Sequence, residues 1–98
     1  MFRHVNERIA ETAEFFGSGQ TEFVCECADP TCQDRLEVPL DEYEQVREDG
    51  THFLVAAGHE VPRYERVVKH RRGYAIVQKF RRRLAAAVRR TDPRAGTA

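Results

Sequence analysis

The sequence predicts an α+β fold, in which a small, mainly antiparallel sheet is flanked by helices. A chain of 98 residues forms one domain, and it buries only about two thirds of the surface that its unfolded form exposes. Short segments with alternating apolar residues predict strands, and segments with an apolar residue every three or four positions predict helices. All three cysteines lie between positions 25 and 32. Such a cluster in a small domain indicates a structural metal site that staples the fold.

The first predicted element is a helix over residues 2–16. Its apolar residues recur every three or four positions on one stripe, while its charged residues lie off that stripe; the stripe consists of Phe2, Val5, Ile9, Ala13 and Phe16. The glycines in Gly17-Ser18-Gly19 are expected to end the helix. Phe15 and Phe16 are expected to pack in the core.

Two strands are predicted on either side of the cysteines, at residues 21–24 and 35–38. Both segments alternate and contain β-branched or aromatic residues. A helix is predicted to follow from Pro39, with Asp41 as its N-cap and Glu44 three residues later as in a capping box. Gly50 is expected to end this helix.

The second half of the chain predicts a buried strand, a hairpin and a last helix. Residues 52–57 form a short apolar run that leads into Gly58-His59. Residues 66–79 predict a hairpin in which Gly73 supplies a positive φ. Phe80, Leu84 and Val88 recur every four residues and predict an amphipathic, arginine-rich helix over residues 80–90. The domain is therefore expected to span residues 1–90, with a disordered tail over 91–98.

The cysteine spacing predicts three sulfur ligands for one metal. Cys25 and Cys27 are two apart on a predicted strand, so their side chains point to one face. Asp29-Pro30 predicts a turn, because proline fixes its own φ and an aspartate side chain bonds locally. This turn is expected to return Cys32 to the same point.

A tetrahedral zinc site needs a fourth ligand, and His59 is the favoured candidate because a strand and a glycine precede it. His52, Asp29 and Asp34 are alternatives. One Zn²⁺ per chain is the expected cofactor, although the spacing also allows iron–sulfur ligation. A further alternative is that the cysteines are small buried hydrophobic residues without a metal.

The cysteine count also bears on the cellular compartment. Three clustered cysteines do not suit a disulfide framework, and they favour a reducing compartment in which thiolates bind metal. The first twenty residues lack a continuous apolar run, and no segment has the roughly 18 apolar residues that span a bilayer. A cytoplasmic protein that does not enter the membrane is therefore expected.

The motifs of common zinc enzymes do not fit this chain. Glu26 and Glu60 stand beside proposed ligands and are possible general bases, but His59-Glu60 is followed by Arg63 where a zinc protease motif needs histidine. The zinc deaminase pattern needs a Pro-Cys-x-x-Cys segment, and this sequence contains none. Three thiolates and one imidazole would fill the coordination sphere, which leaves no position for a reacting water. The expected protein is not an enzyme.

The charges divide the chain into two opposite halves. Residues 1–60 contain 4 arginines against 14 acidic residues, whereas residues 61–98 contain 12 basic against 2 acidic residues. A basic segment of this kind suits phosphates or an acidic partner; the candidate contacts are Lys69, Arg71, Arg72, Lys79, Arg81, Arg82, Arg83, Arg89 and Arg90. Tyr74 and Phe80 lie among them, where they would either stack on bases or pack in the core.

Three roles remain open for a non-enzymatic zinc protein of this size. The favoured one is a regulatory or adaptor protein that binds a macromolecular partner, most simply another protein, because the two charged halves offer surfaces. The second is nucleic-acid binding through the basic segment. The third is redox sensing, in which oxidation of the thiols releases zinc. The sequence leaves the oligomeric state open.

Several pieces of the chain together resemble a group of short hypothetical proteins common in actinobacteria. These pieces are Phe23-Val24-Cys25-Glu26-Cys27-Ala28-Asp29, Cys32, residues 40–47, residues 53–55 and Gly58-His59-Glu60. The likeness runs from about residue 4 to residue 79, so the arginine-rich helix lies outside it. The resemblance implies a bacterial cytoplasmic protein with a zinc-like site at Cys25, Cys27, Cys32 and His59.

Overall fold

The computed structural model describes residues 3–15 and 20–94. The elements in chain order are α1 (Arg3–Phe15), β1 (Gln20–Val24), β2 (Arg35–Pro39), α2 (Leu40–Val46), β3 (His52–Ala56), β4 (Glu65–Arg71), β5 (Tyr74–Lys79) and α3 (Arg82–Arg90). The predicted α+β class is confirmed. Within the described residues, no helix has the length and apolar character that crossing a bilayer requires.

The antiparallel strands form two small sheets. One sheet contains β1 and β2, and the other has the strand order β3-β5-β4. The segment between β1 and β2 runs beside the outer edge of β3, where the backbone N–H of Glu26 donates to the carbonyl of Leu54 at 2.7 Å. The carboxylate of Glu26 in turn accepts the N–H of Leu54 at 2.9 Å. The cysteine segment therefore joins the two sheets.

The core lies between the sheets and the helices. Phe53, Leu54 and Val55 of β3 are completely buried. Tyr43 of α2 stacks on Phe23 of β1, with ring centroids 4.3 Å apart and an interplanar angle of 12°. These contacts bring α2 and both sheets into one hydrophobic cluster, which fixes the position of the loop that carries the cysteines.

The buried face of α1 differs from the predicted apolar stripe. The residues that α1 buries are Arg3, Asn6, Glu7, Ala10 and Ala13, whereas Val5 is 44% exposed and Ile9 is only partly buried. Phe2, Phe16 and residues 17–19 lie outside the described residues. The polar side chains on this face are buried because each of them forms hydrogen bonds or ion pairs with other parts of the fold.

Asn6 shows how the buried polar face of α1 is satisfied. Its side-chain oxygen accepts the N–H of Val24 at 2.8 Å, and its side-chain nitrogen donates to the carbonyl of Val24 at 2.8 Å and to Glu26 Oε2 at 2.7 Å. Asn6 thus binds the end of β1 as a neighbouring strand would. Since a buried amide without partners costs about 1–3 kcal/mol, this residue fixes α1 against the cysteine segment.

The predicted bounds of α2 are wrong at both ends. The N-cap position is Pro39, whose side chain makes no capping bond. Asp41 lies inside the first turn and accepts the N–H of Glu42 at 3.0 Å, where its charge favours the helix dipole. The helix ends at Val46, and Gly50 lies in the following turn, where its carbonyl accepts a hydrogen bond from Arg3 at 2.7 Å.

The hairpin and the last helix are confirmed. Gly73 has a φ of +86°, in the left-handed region that glycine adopts without strain, and it turns β4 back onto β5. The helix α3 buries Ala85 and Val88. It begins at Arg82, so Phe80 lies before the helix and is 36% exposed.

Four charged residues form a cluster that joins distant parts of the chain, and we call it the ion-pair cluster. It consists of Glu7, Arg47, Asp92 and Arg94. Arg47 contacts both Glu7, at 3.2 Å, and Asp92. Arg94 donates to Glu7 Oε1 at 2.5 Å and to Glu7 Oε2 at 3.0 Å. Asp92 and Arg94 of this cluster lie in the stretch where the sequence predicted a disordered tail, and residues 95–98 of that stretch lie outside the described range.

Candidate metal centre

The first two cysteines follow directly from the end of β1. Cys25 and Cys27 are 1% and 2% exposed. The N–H of Cys25 donates to the carbonyl of Asp34 at 2.9 Å, which closes the loop between β1 and β2. Between the two cysteines, the carboxylate of Glu26 is held by Asn6 and Leu54. The segment therefore directs its two sulfurs to one site and binds its carboxylate elsewhere.

The third cysteine is brought back by the predicted turn. Asp29 Oδ1 accepts the N–H of Thr31 at 2.9 Å and its hydroxyl at 2.7 Å, which is the local bonding expected of an aspartate turn. These bonds lower the pKa of the Asp29 carboxyl. The N–H of Cys32 then donates to the carbonyl of Asp29 at 3.1 Å, so Cys32 returns toward Cys25 and Cys27.

His59 approaches from the end of β3. Gly58 has a φ of +85°, and the N–H of His59 donates to the carbonyl of Ala56 at 3.0 Å. This turn places His59 Nδ1 at 3.6 Å from the sulfur of Cys25 and at 3.6 Å from that of Cys32. The histidine chosen from the sequence is therefore the one that meets the cysteines.

Cys25, Cys27, Cys32 and His59, which we call the Cys/His cluster, have the geometry of a metal site. Their four donor atoms all lie within 4.8 Å of one another. With zinc–sulfur bonds of about 2.3 Å and a zinc–nitrogen bond of about 2.0–2.1 Å, a tetrahedral site separates sulfur from nitrogen by about 3.6 Å. Both measured sulfur–nitrogen distances match this value. The donor set and its spacing fit Zn²⁺.

Burial controls the charge state of the thiols in the cluster, and a bound cation would change that state. Burial raises the pKa of the Cys25 thiol to about 12, although the N–H of Ala56 partly opposes the shift by donating to its sulfur at 3.2 Å. Burial also raises the pKa of Cys27. Without a cation these thiols stay protonated at neutral pH, whereas a metal ion replaces the protons and stabilises thiolates.

The alternative fourth ligands lie outside the cluster. Asp34 contacts the other ring nitrogen of His59, with Oδ2 at 3.4 Å from Nε2. A carboxylate in this position fixes the orientation of a metal-bound imidazole. His52 instead approaches Asp49, at 3.5 Å, and Asp29 is occupied by its own turn. The sequence identified Asp34 only as a possible ligand and missed its contact with the histidine.

Two of the predicted basic contacts are held by carboxylates inside the fold. Lys79 is 2% exposed, pairs with the buried Glu65, and lies 5.0 Å from the centre of the Phe53 ring. Arg71 pairs with Glu42 at 2.7 Å. Tyr74 is 6% exposed and also donates its hydroxyl to Glu42. Lys79 and Tyr74 are therefore buried in the fold, whereas the Arg71 side chain stays 42% exposed although it is paired.

The other predicted basic residues lie on the surface. Those exposed are Lys69, Arg72, Arg81, Arg82, Arg83, Arg89 and Arg90. Arg66 of β4 is also exposed, and it was not among the predicted contacts because it precedes the basic segment. Arg66 lies with its guanidinium 5.1 Å from the centre of the Phe80 ring. The signal in the sequence that could have identified Arg66 is its place in a strand, where side chains alternate between the two faces of the sheet.

Comparisons of this chain with known protein families, with curated proteins and with solved structures give no match.

Proposed function

We propose that this protein is a non-enzymatic, zinc-binding adaptor or regulatory protein, in which one Zn²⁺ closes the fold and the surface binds a macromolecular partner. The observation that carries the proposal is the Cys/His cluster, whose four donor atoms lie within 4.8 Å of one another. Cys25, Cys27, Cys32 and His59 would supply all four ligands of a tetrahedral ion. A site closed by protein ligands is typical of structural zinc.

The surroundings of the cluster support a structural role over a catalytic one. Hydrolytic zinc sites combine an open coordination position with a nearby carboxylate that acts as general base. Here the carboxylate of Asp34 approaches His59, where it orients the ring, and that of Glu26 is buried between Asn6 and Leu54. Burial raises the pKa of Glu26, in keeping with a role in packing.

The site also explains how this chain reaches stability. A structural zinc contributes a binding free energy of about 10–16 kcal/mol at neutral pH, which equals or exceeds the whole stability of a typical domain. Its ligands link the β1–β2 loop to the end of β3. Zinc therefore fixes the relative position of the two sheets.

The test is metal content and thermal stability of protein purified without a metal-affinity tag. We expect one zinc per chain by elemental analysis and a large fall in the melting temperature when a strong chelator is added. Adding zinc back in excess of the chelator is the control, and it should restore the original melting curve. Iron in place of zinc would point to redox chemistry, and protein that is fully stable without metal would contradict the proposal.

A further inference from the structure

A small cleft lies between the larger sheet and α3, and its lining is strongly basic. Arg66 of β4 and Arg82 and Arg89 of α3 face it, with Phe80 at its rim and Thr51 and Gln78 as neutral polar groups. Its volume is about 280 Å³. We call it the basic cleft.

The three arginines of the basic cleft are exposed and line the same cleft although they span 24 positions of the sequence. Among the described residues that line the cleft there is no carboxylate. The nearby Asp49, whose charge interacts with Arg89, is already bound by the N–H of Thr51 at 2.9 Å and its hydroxyl at 2.7 Å. Three like charges held together in this way favour a polyanion.

The fold sets the spacing of Arg82 and Arg89, and an aromatic ring orients Arg66. Arg82 and Arg89 are seven residues apart on α3, so they lie on the same side of the helix at a separation of about 10 Å along its axis. Ala85 lies between them and also lines the cleft, and its side chain is too small to fill the cleft between the two arginines. The guanidinium groups of Arg66 and Arg81 lie 5.1 and 5.5 Å from the centre of the Phe80 ring, and such cation–π contacts restrict their motion.

We propose that the basic cleft binds the phosphate backbone of a nucleic-acid strand, with Arg66, Arg82 and Arg89 as the phosphate contacts. Arginine binds phosphate oxygens through two parallel N–H groups, and a nucleic acid presents phosphates in a regular row. Phe80 supplies an aromatic edge beside the phosphates, where a sugar or base packs. The inference deepens the proposed adaptor function by naming the chemical class of its partner.

The charge distribution supports a one-sided contact. The acidic residues of the first 60 positions repel a polyanion, while the cleft and the exposed Arg81, Arg83 and Arg90 attract it. The strand is therefore expected to follow α3 and the adjacent end of the sheet. The sequence favoured a protein partner, but the phosphates of a nucleic-acid strand recur at regular intervals along one chain and each can bind two N–H groups of an arginine.

The test uses the zinc-loaded full chain and fluorescently labelled oligonucleotides of about 20 nucleotides, long enough to exceed a typical single-strand site. Single-stranded DNA, single-stranded RNA and duplex DNA of the same sequence are compared by fluorescence anisotropy. Three phosphate contacts predict that binding weakens about 20- to 40-fold between about 50 and 200 mM salt. The arm that binds most tightly identifies the form of nucleic acid.

Matched variants separate the cleft from general charge. The triple variant Arg66→Gln, Arg82→Gln, Arg89→Gln should lose affinity at least tenfold and flatten the salt dependence, since each lost phosphate contact lowers the slope by about one unit. The control is Arg8→Gln, Arg35→Gln, Arg63→Gln, which removes the same charge from exposed arginines outside the cleft and outside the predicted contacts and should retain affinity within about twofold.

Three outcomes would overturn the inference: no binding by any oligonucleotide, equal losses in the two triple variants, or equally good displacement by polyglutamate, which would indicate an acidic protein partner. Zinc content is measured on the same samples. One zinc per chain without binding would refute the nucleic-acid contact alone, and binding by protein that is folded without zinc would refute the proposed metal site alone.

Discussion

Two polar clusters hold the same hydrophobic core by different chemistry. The Cys/His cluster gathers four donor atoms that come from one eight-residue segment and from His59. The ion-pair cluster gathers Glu7 from α1, Arg47 from the end of α2, and Asp92 and Arg94 from beyond α3. Both connect distant parts of the chain, but the ion-pair cluster contains its own cations, whereas the proposed metal site would take its cation from solution.

The charge balance of the two clusters explains this difference. In the ion-pair cluster, the two guanidinium groups contact Glu7 and Asp92, and Arg94 also pairs with Glu44 at 2.6 Å, so opposite charges meet within the fold. In the Cys/His cluster the grouped side chains are three thiols and one imidazole, and burial raises the pKa of the Cys25 thiol. A metal bound by the Cys/His cluster would make the stability that it contributes depend on metal concentration as well as on pH, whereas the stability contributed by the ion-pair cluster depends on pH alone. The two dependences allow the clusters to be tested separately.

The largest effect is expected from Cys25→Ser. A serine oxygen is a poor replacement for a thiolate ligand of zinc, and losing a large part of the roughly 10–16 kcal/mol of binding free energy should unfold the domain. Circular dichroism and elemental analysis should show loss of structure and of metal together. Under excess chelator, the wild type and the variant should behave alike. A folded variant that retains one zinc would show that the metal is not held through Cys25.

A smaller but still large effect is expected from Arg47→Met, which keeps the apolar part of a side chain that is 0% exposed. Glu7 and Asp92 each lose a partner, and breaking a buried ion pair on one side costs about 3–5 kcal/mol. Because Arg47 Nη1 itself has no partner among the described residues, we expect the lower end of this range, about 3 kcal/mol, by urea unfolding.

The matched control for Arg47→Met is Arg94→Met in the same cluster. The Arg94 side chain is 37% exposed, and solvent screening should limit its loss to about 1 kcal/mol or less. Both variants should retain one zinc per chain. Equal losses in the two variants, or release of zinc by Arg47→Met, would break the distinction between the two clusters.

The smallest effect is a change in pH dependence in Asp92→Asn. Burial alone would raise the pKa of Asp92. The N–H of Arg94 and the guanidinium of Arg47 lower the pKa by more than burial raises it, so the pKa lies below its ordinary value. A lowered pKa in the folded state stabilises the fold above the unfolded pKa of about 4, and this stabilisation is lost as pH falls through the folded pKa. Glu7 behaves in the same way.

The difference in unfolding free energy between the wild type and Asp92→Asn should therefore be largest near neutral pH and should shrink below about pH 4. Acid also protonates the thiols and weakens metal binding, but this affects both proteins equally, so the difference isolates Asp92. A difference that grows in acid would contradict the assigned role of Asp92.

The two clusters also differ in how far they could be predicted from the sequence. The Cys/His cluster depends on local signals, which are the spacing of Cys25 and Cys27, the Asp29-Pro30 turn and the glycine before His59. Each signal acts within a few residues, so its geometry follows from backbone chemistry. The hairpin at Gly73 was predictable for the same reason.

The ion-pair cluster has no such signature. Glu7 and Arg94 are 87 positions apart, and neither has a neighbour in sequence that indicates the other. The hydropathy pattern predicted that Glu7 lies on the exposed side of α1, because hydropathy depends only on the residue type. It contains no information about Arg47 and Arg94, which pair with Glu7 in the fold. The burial of Lys79 against Glu65 was missed for the same reason. Long-range compensation of charge decides these positions.

The segment that carries Cys25 and Cys27 also covers the outer edge of β3. Its Glu26 and Cys25 accept the N–H groups of Leu54 and Ala56, which would otherwise face solvent along an apolar strand. An uncovered edge of this kind readily pairs with strands of other molecules and promotes aggregation. Because the same few residues hold the proposed zinc and cover this edge, we expect metal-depleted protein to self-associate, so that metal supply would govern its solubility in the cell.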